Sequence, residues 1–118
     1  MKALNIASTN FSPTVECLNG EVKITGKSVL EDAASFFEPL HLWLKEYIAS
    51  SDTIKVEFNL TYFNSTTAKQ ILKFLMAIDD SGIEADVTWV YPADNEILLE
   101  RGQEYGIMLD LKIKFKPV

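Results

Sequence analysis

Apolar and polar residues alternate along Ile54-Lys55-Val56-Glu57-Phe58-Asn59-Leu60, which predicts a β-strand with one buried and one polar face. Upstream, Val15-Glu16-Cys17-Leu18 and Glu21-Val22-Lys23-Ile24 flank Asn19-Gly20. Asn-Gly accepts the positive φ angles of a type I′ turn, so this stretch predicts a β-hairpin. Between hairpin and strand, Ala33, Phe37, Leu40, Leu44, Tyr47 and Ile48 recur at three- and four-residue spacings, the mark of a long helix. Ser28 with Glu31 reads as its capping box. Pro39 removes one N–H bond and crowds the preceding turn. It predicts a bend, or a short first turn with the main helix starting nearer Pro39.

A second helix is expected from about Thr66 to Asp79, with Ala68, Ile71, Leu72, Leu75 and Ile78 in one stripe and Asp80-Ser81-Gly82 as its stop. Asp86–Tyr91 predicts a strand that ends at Pro92. Asn95–Tyr105 predicts a short helix capped by Asp94 or Asn95, and Leu109–Phe115 the last strand. Strands and helices that alternate in this order predict an α/β fold. Its elements would be a mixed sheet with parallel pairs and right-handed crossovers, an N-terminal hairpin, and three helices mainly on one face.

Length and composition narrow the function. A chain of 118 residues with 47% hydrophobic content fits one domain, residues 1–118, with one core. The net charge of −6 argues against nucleic acid, which demands clustered Lys and Arg. Lys112, Lys114 and Lys116 alternate with Leu111, Ile113 and Phe115, as on the solvent face of an edge strand. No run is long and apolar enough for a signal core or a membrane span, so a cytoplasmic protein is expected. The Asn-x-Ser/Thr matches at Asn10, Asn59 and Asn64 are then chance. The single cysteine, Cys17, excludes an internal disulfide and reads as a small buried residue.

Catalytic equipment is sparse. His41, the one histidine, falls inside the first helix and reads as a surface or partly buried side chain rather than a general base. No phosphate-loop, dinucleotide, zinc-protease or paired-cysteine motif occurs. Asp94, Glu96, Glu100 and Glu104 read as a solvated helix face rather than a metal site, and Trp43 and Trp89 as core or the border of a partner surface. Neither enzyme activity nor a metal or other cofactor is expected. What stands out is Tyr62-Phe63-Asn64-Ser65-Thr66-Thr67-Ala68-Lys69, three hydroxyl residues where a strand hands over to a helix. Such a place suits a helix cap, and it also suits a phosphate, because free N–H groups and the helix dipole favour negative charge there.

Ser12-Pro13, Gly26-Lys27-Ser28 with Glu31, Phe36-Phe37-Glu38-Pro39 with Trp43-Leu44, Tyr62-Phe63-Asn64-Ser65 with Lys69, Val87-Thr88-Trp89 with Tyr91, Asp94 and Gly102 follow one another along nearly the whole chain. In order and spacing they resemble the SiaC family of bacterial regulatory phosphoproteins. The resemblance implies a single STAS-like domain, similar to anti-sigma-factor antagonists. It also implies control by a Ser/Thr protein kinase and a PP2C-type phosphatase. The unphosphorylated form would bind and activate a diguanylate cyclase, and so act on cyclic di-GMP and biofilm control.

The family's acceptor position falls on Ser65, whereas the STAS pattern aligns with Thr66. Ser65 therefore ranks first, Thr66 second and Thr67 third, with Tyr62, Phe63, Asn64 and Lys69 as loop support or partner contacts. Two departures are visible. Ser65 stands where Thr is usual, and Ser28-Val29-Leu30-Glu31-Asp32 replaces a typical Ser-Tyr-Pro-Glu-Asn. The alternative function is a STAS-like domain that binds a small ligand or nucleotide without phosphorylation.

Overall fold

The computed structural model describes residues 2–118. Its elements are β1 (Leu4–Ile6), β2 (Thr14–Leu18), β3 (Glu21–Ser28), α1 (Ala33–Ala49), β4 (Thr53–Phe63), α2 (Ser65–Ser81), β5 (Glu84–Tyr91), α3 (Glu96–Met108) and β6 (Ile113–Pro117). The strands form one six-stranded sheet in chain order. β1, β2 and β3 pair antiparallel, and β3 to β6 pair parallel. Each crossover therefore steps one strand further in the same direction. Right-handed crossovers that never reverse direction leave their helices on one face.

Burial follows that layering. Val22, Ile24, Val56, Phe58, Leu60, Val87 and Trp89 point into one core with Phe37, Leu40, Leu44, Ile71, Phe74, Leu75 and Ile78 of the helices. The other sheet face carries Lys23, Lys55, Glu57 and Lys114, with ion pairs Lys55–Glu21 at 3.9 Å and Lys114–Asp86 at 2.9 Å. This is the mixed sheet, N-terminal hairpin and one-sided helix layer that the alternation predicts. The hairpin turn has φ of 52° at Asn19 and 79° at Gly20, as a type I′ turn requires. Gly82, in the left-handed region at φ 72°, ends α2.

Two expectations need correction, and one strand was not foreseen. Ser28 does not cap α1. It is the last residue of β3 and fully buried, and the cap is Asp32, whose Oδ1 accepts from Ser35 N at 3.1 Å. A Ser-x-x-Glu pattern cannot reveal that the preceding strand continues through its first residue. α1 also runs continuously across Pro39 from Ala33 rather than starting near it. Finally, β1 adds a strand absent from the sequence reading, because at three residues it is too short to display alternation.

Candidate functional site

The junction from β4 to α2 is shaped first by a bulge. Gly26 pairs with Leu60 but Lys27 pairs with Tyr62, so Thr61 is an extra residue in β4. The extra residue resets the inward–outward alternation. Thr61 and Tyr62 both face solvent, with Tyr62 55% exposed, while Phe63 turns inward and is 1% exposed. Phe63 packs edge-on against Trp89 with ring centroids 5.9 Å apart. The Arg101 guanidinium of α3 lies 4.7 Å from the centre of the Phe63 ring.

Asn64 then caps α2. Its Oδ1 accepts from the Thr67 amide at 3.1 Å, the Thr67 hydroxyl at 2.8 Å and the Thr66 hydroxyl at 3.0 Å. Its Nδ2 donates to the Leu30 carbonyl at 3.0 Å. The Ala68 amide bonds the Asn64 carbonyl at 2.9 Å. The first turn of α2 holds no acidic residue, so no acidic side chain of that turn offsets the positive end of its dipole.

The three hydroxyls that follow are not equivalent. Thr67 is 0% exposed, and its Oγ1 lies 2.6 Å from Ser28 Oγ; because Thr67 donates to Asn64, Ser28 must be the donor in that contact. Thr66 is exposed, but its hydroxyl donates to the Leu30 carbonyl at 2.8 Å or to Asn64. Ser65 is exposed at the first helical position, and its hydroxyl enters no side-chain hydrogen bond among the described residues. Lys69, exposed one helical turn beyond Ser65, borders a groove between α2 and α3 that Leu72, Arg101 and Tyr105 also line. The Tyr105 hydroxyl donates to the Ala68 carbonyl at 2.8 Å, and burial raises its pKa.

A family model described as "SiaC family regulatory phosphoprotein" matches residues 6–118. The chain belongs to that family. At the sequence level no functionally curated protein matches. Among solved structures, the chain is similar to one chain of the crystal structure of diguanylate cyclase SiaD in complex with its activator SiaC from Pseudomonas aeruginosa. The TM-score is 0.92 at 19% identity, covering 98% of this chain and 99% of that one. It is also similar to apo-SiaC of the same organism, with TM-score 0.87, 17% identity and coverage of 98% and 99%. At these identities the likeness establishes the shared fold.

Other sequence candidates lie away from the SiaC-family hydroxyl turn. His41 is half-buried and shares a 2.8 Å hydrogen bond with Gln70 across α1 and α2. Burial is the main cause that lowers its pKa. Cys17 is buried among β2 neighbours, and its thiol is pushed up to about 12. Asp94, Glu96, Glu100 and Glu104 are all exposed, and no group of three or more His, Cys, Asp or Glu residues converges as a metal set among the described residues. No helix among them is long and apolar enough to cross a membrane.

Sequence reasoning missed the roles of Ser28, Leu30 and Arg101 at this turn. For Leu30 no signal existed, because a backbone carbonyl has no side-chain signature. For Thr67 one did: with Ile71, Phe74 and Ile78 it completes the buried stripe of α2.

Proposed function

We propose that this protein is a phosphorylation-switched, protein-binding regulator in bacterial signalling, with Ser65 as its phosphoacceptor. The observation that carries the reading is the contrast among neighbouring hydroxyls: Thr67 is buried, Thr66 is bonded to its surroundings, and Ser65 is exposed with its hydroxyl unengaged. A Ser/Thr kinase would transfer the γ-phosphoryl group of ATP to Ser65 Oγ; the O–P bond forms as ADP departs, and the hydroxyl proton passes to the kinase's carboxylate. A PP2C-type phosphatase would return the serine by hydrolysis.

The phosphoryl group brings about −1.5 to −2 charges and three acceptor oxygens to a helix start that tolerates them. The fold persists while the surface around Tyr62 and Lys69 changes its potential. The Pseudomonas aeruginosa neighbour is described as the activator of a diguanylate cyclase. By that analogy the unphosphorylated form of this chain binds and activates a diguanylate cyclase, raising cyclic di-GMP and acting on biofilm control. The protein works by binding, in the cytoplasm, with no catalytic step of its own.

Mass spectrometry of the tryptic peptide Val56–Lys69 from native cells tests the switch; phosphate on Ser65 is expected, and its consistent absence with the cognate kinase expressed would refute the proposal. Recovery of a diguanylate cyclase with Ser65→Ala and not with Ser65→Asp tests the output. Equal recovery by both variants counts against it.

A further inference from the structure

The acceptor turn is fastened to a loop that belongs to a different crossover. Asn64 Nδ2 and Thr66 Oγ1 both donate to the Leu30 carbonyl, at 3.0 and 2.8 Å. Beside them, the Asn64 amide bonds the Ser28 carbonyl at 3.1 Å, and the Ser28 and Thr67 hydroxyls meet at 2.6 Å. Leu30 lies between β3 and α1, two residues before Asp32, the α1 cap. Residues 64–67 therefore hold residues 28–30, and the starts of two neighbouring helices form one bonded cluster.

We infer that Thr66 is a positioning residue rather than a reserve acceptor: its hydroxyl, with the Asn64 amide, fastens the β3–α1 loop to the start of α2. Leu30 is thereby held against the first turn of α2, where Ser65 lies. The inference rests on the Ser65 reading for the identity of the modified residue. A hydroxyl has one proton to give. Thr66 gives its proton to the nearer acceptor, the Leu30 carbonyl at 2.8 Å, because Asn64 Oδ1 at 3.0 Å already accepts from the Thr67 amide and hydroxyl. Phosphoryl transfer instead requires the phosphoacceptor to give its proton to the kinase's carboxylate. Thr66 must let go of the loop to react, and Ser65 need not.

Two measurements on the full chain decide this. The Glu31 amide belongs to the same peptide group as the Leu30 carbonyl, so its ¹⁵N–¹H resonance senses bonds to that oxygen. Thr66→Val keeps the side-chain shape, removes the hydroxyl and should move that resonance. Thr66→Ser restores the hydroxyl and should return it most of the way, a rescue that a packing role would not produce. In phosphopeptide mapping from native cells, Thr66→Val should leave Ser65 phosphate within about twofold of wild type. In Ser65→Ala, Thr66 should carry less than about one-tenth of the phosphate that Ser65 carries in wild type, because its proton is already engaged.

Phosphate moving onto Thr66 in Ser65→Ala at a level near wild type overturns the inference. So does a Glu31 resonance that ignores Thr66→Val, or one that Thr66→Ser fails to restore. Absence of phosphate from the wild-type peptide refutes the Ser65 switch, and the Glu31 resonance then decides the role of Thr66 alone.

Discussion

At the residue scale, the floor under the β4–α2 turn is Trp89, against which Phe63 packs. It is 1% exposed, its Nε1 donates to the Leu98 carbonyl at 2.9 Å, and the rings of Phe58, Phe63 and Tyr105 surround it. Gly102 of α3 lies against this indole, and a Cβ there would stand 2.7 Å from Trp89 Cγ. Because the ring is bonded and enclosed, it cannot swing aside. Gly102→Ala is expected to destabilise by about 1–3 kcal/mol through overpacking, more than the helix-propensity gain of about 1 kcal/mol from losing a glycine. Gly106, on the same helix, has nothing within 4 Å of an added Cβ. Gly106→Ala should therefore stabilise by up to about 1 kcal/mol. Thermal unfolding of the pair reads the opposite signs directly, and a Gly102→Ala that melts with wild type would refute the packing account. Gly102 shows how much a sequence conveys at this scale. As one residue of a spaced pattern it pointed to a family, but the indole pressed against it is a contact across elements that no local periodicity encodes.

At the scale of elements, helix starts carry more information than helix bodies. Asn64→Ala removes a cap worth about 1 kcal/mol and the bond to Leu30, worth about 1 kcal/mol more. Denaturant unfolding should register the sum, and Asn64→Asp, which keeps the cap acceptor and loses the Leu30 donor, should fall between. Hydrophobic periodicity located all three helices and the long strands, because each buries one face against a single core. The capping-box pattern mislocated the cap of α1 because Ser-x-x-Glu is local chemistry, and a strand that runs to Ser28 overrides it. The bulge at Thr61 was equally hidden, since an extra residue in β4 is defined only by its pairing with β3.

The contact between α1 and α2 also has a pH signature. His41 is bonded to Gln70 and its pKa is lowered, chiefly by burial and further by Lys73, while the Gln70 bond and Glu38 act in the opposite sense. Below the ordinary value of 6.5 the unfolded chain binds the proton more readily than the native state does. This contribution to stability is therefore complete above that value and is lost as pH falls through the lower native pKa. Unfolding midpoints at about pH 7.5 and about pH 5.5 should drop more for wild type than for His41→Gln, which keeps a neutral hydrogen-bonding side chain. Equal drops would remove His41 from the account.

At the scale of the whole molecule, topology decides what a charge at Ser65 can do. β3, β4 and β5 are parallel and each feeds a helix directly, so α1, α2 and α3 all begin at the same edge of the sheet. Three helix N-termini gather their partial positive charge there, in a chain whose net charge is −6. Asp32 caps α1 and Glu96 lies in the first turn of α3, whereas α2 is capped by the neutral Asn64 and has no acidic residue in its first turn. An added anion at Ser65 thus meets the one of these three helix starts that has neither an acidic cap nor an acidic first-turn residue. Ser65→Asp should stabilise α2 by about 0.3–1 kcal/mol, and its melting temperature should be equal to or slightly above wild type. Circular dichroism should be unchanged, while partner recovery falls. That combination separates a switch of surface potential from one that works by unfolding: if Ser65→Asp lost partner and melting temperature together, the charge would be acting on the fold. High salt offers the complementary check, since screening should erase most of the gain in stability while leaving the core contribution intact.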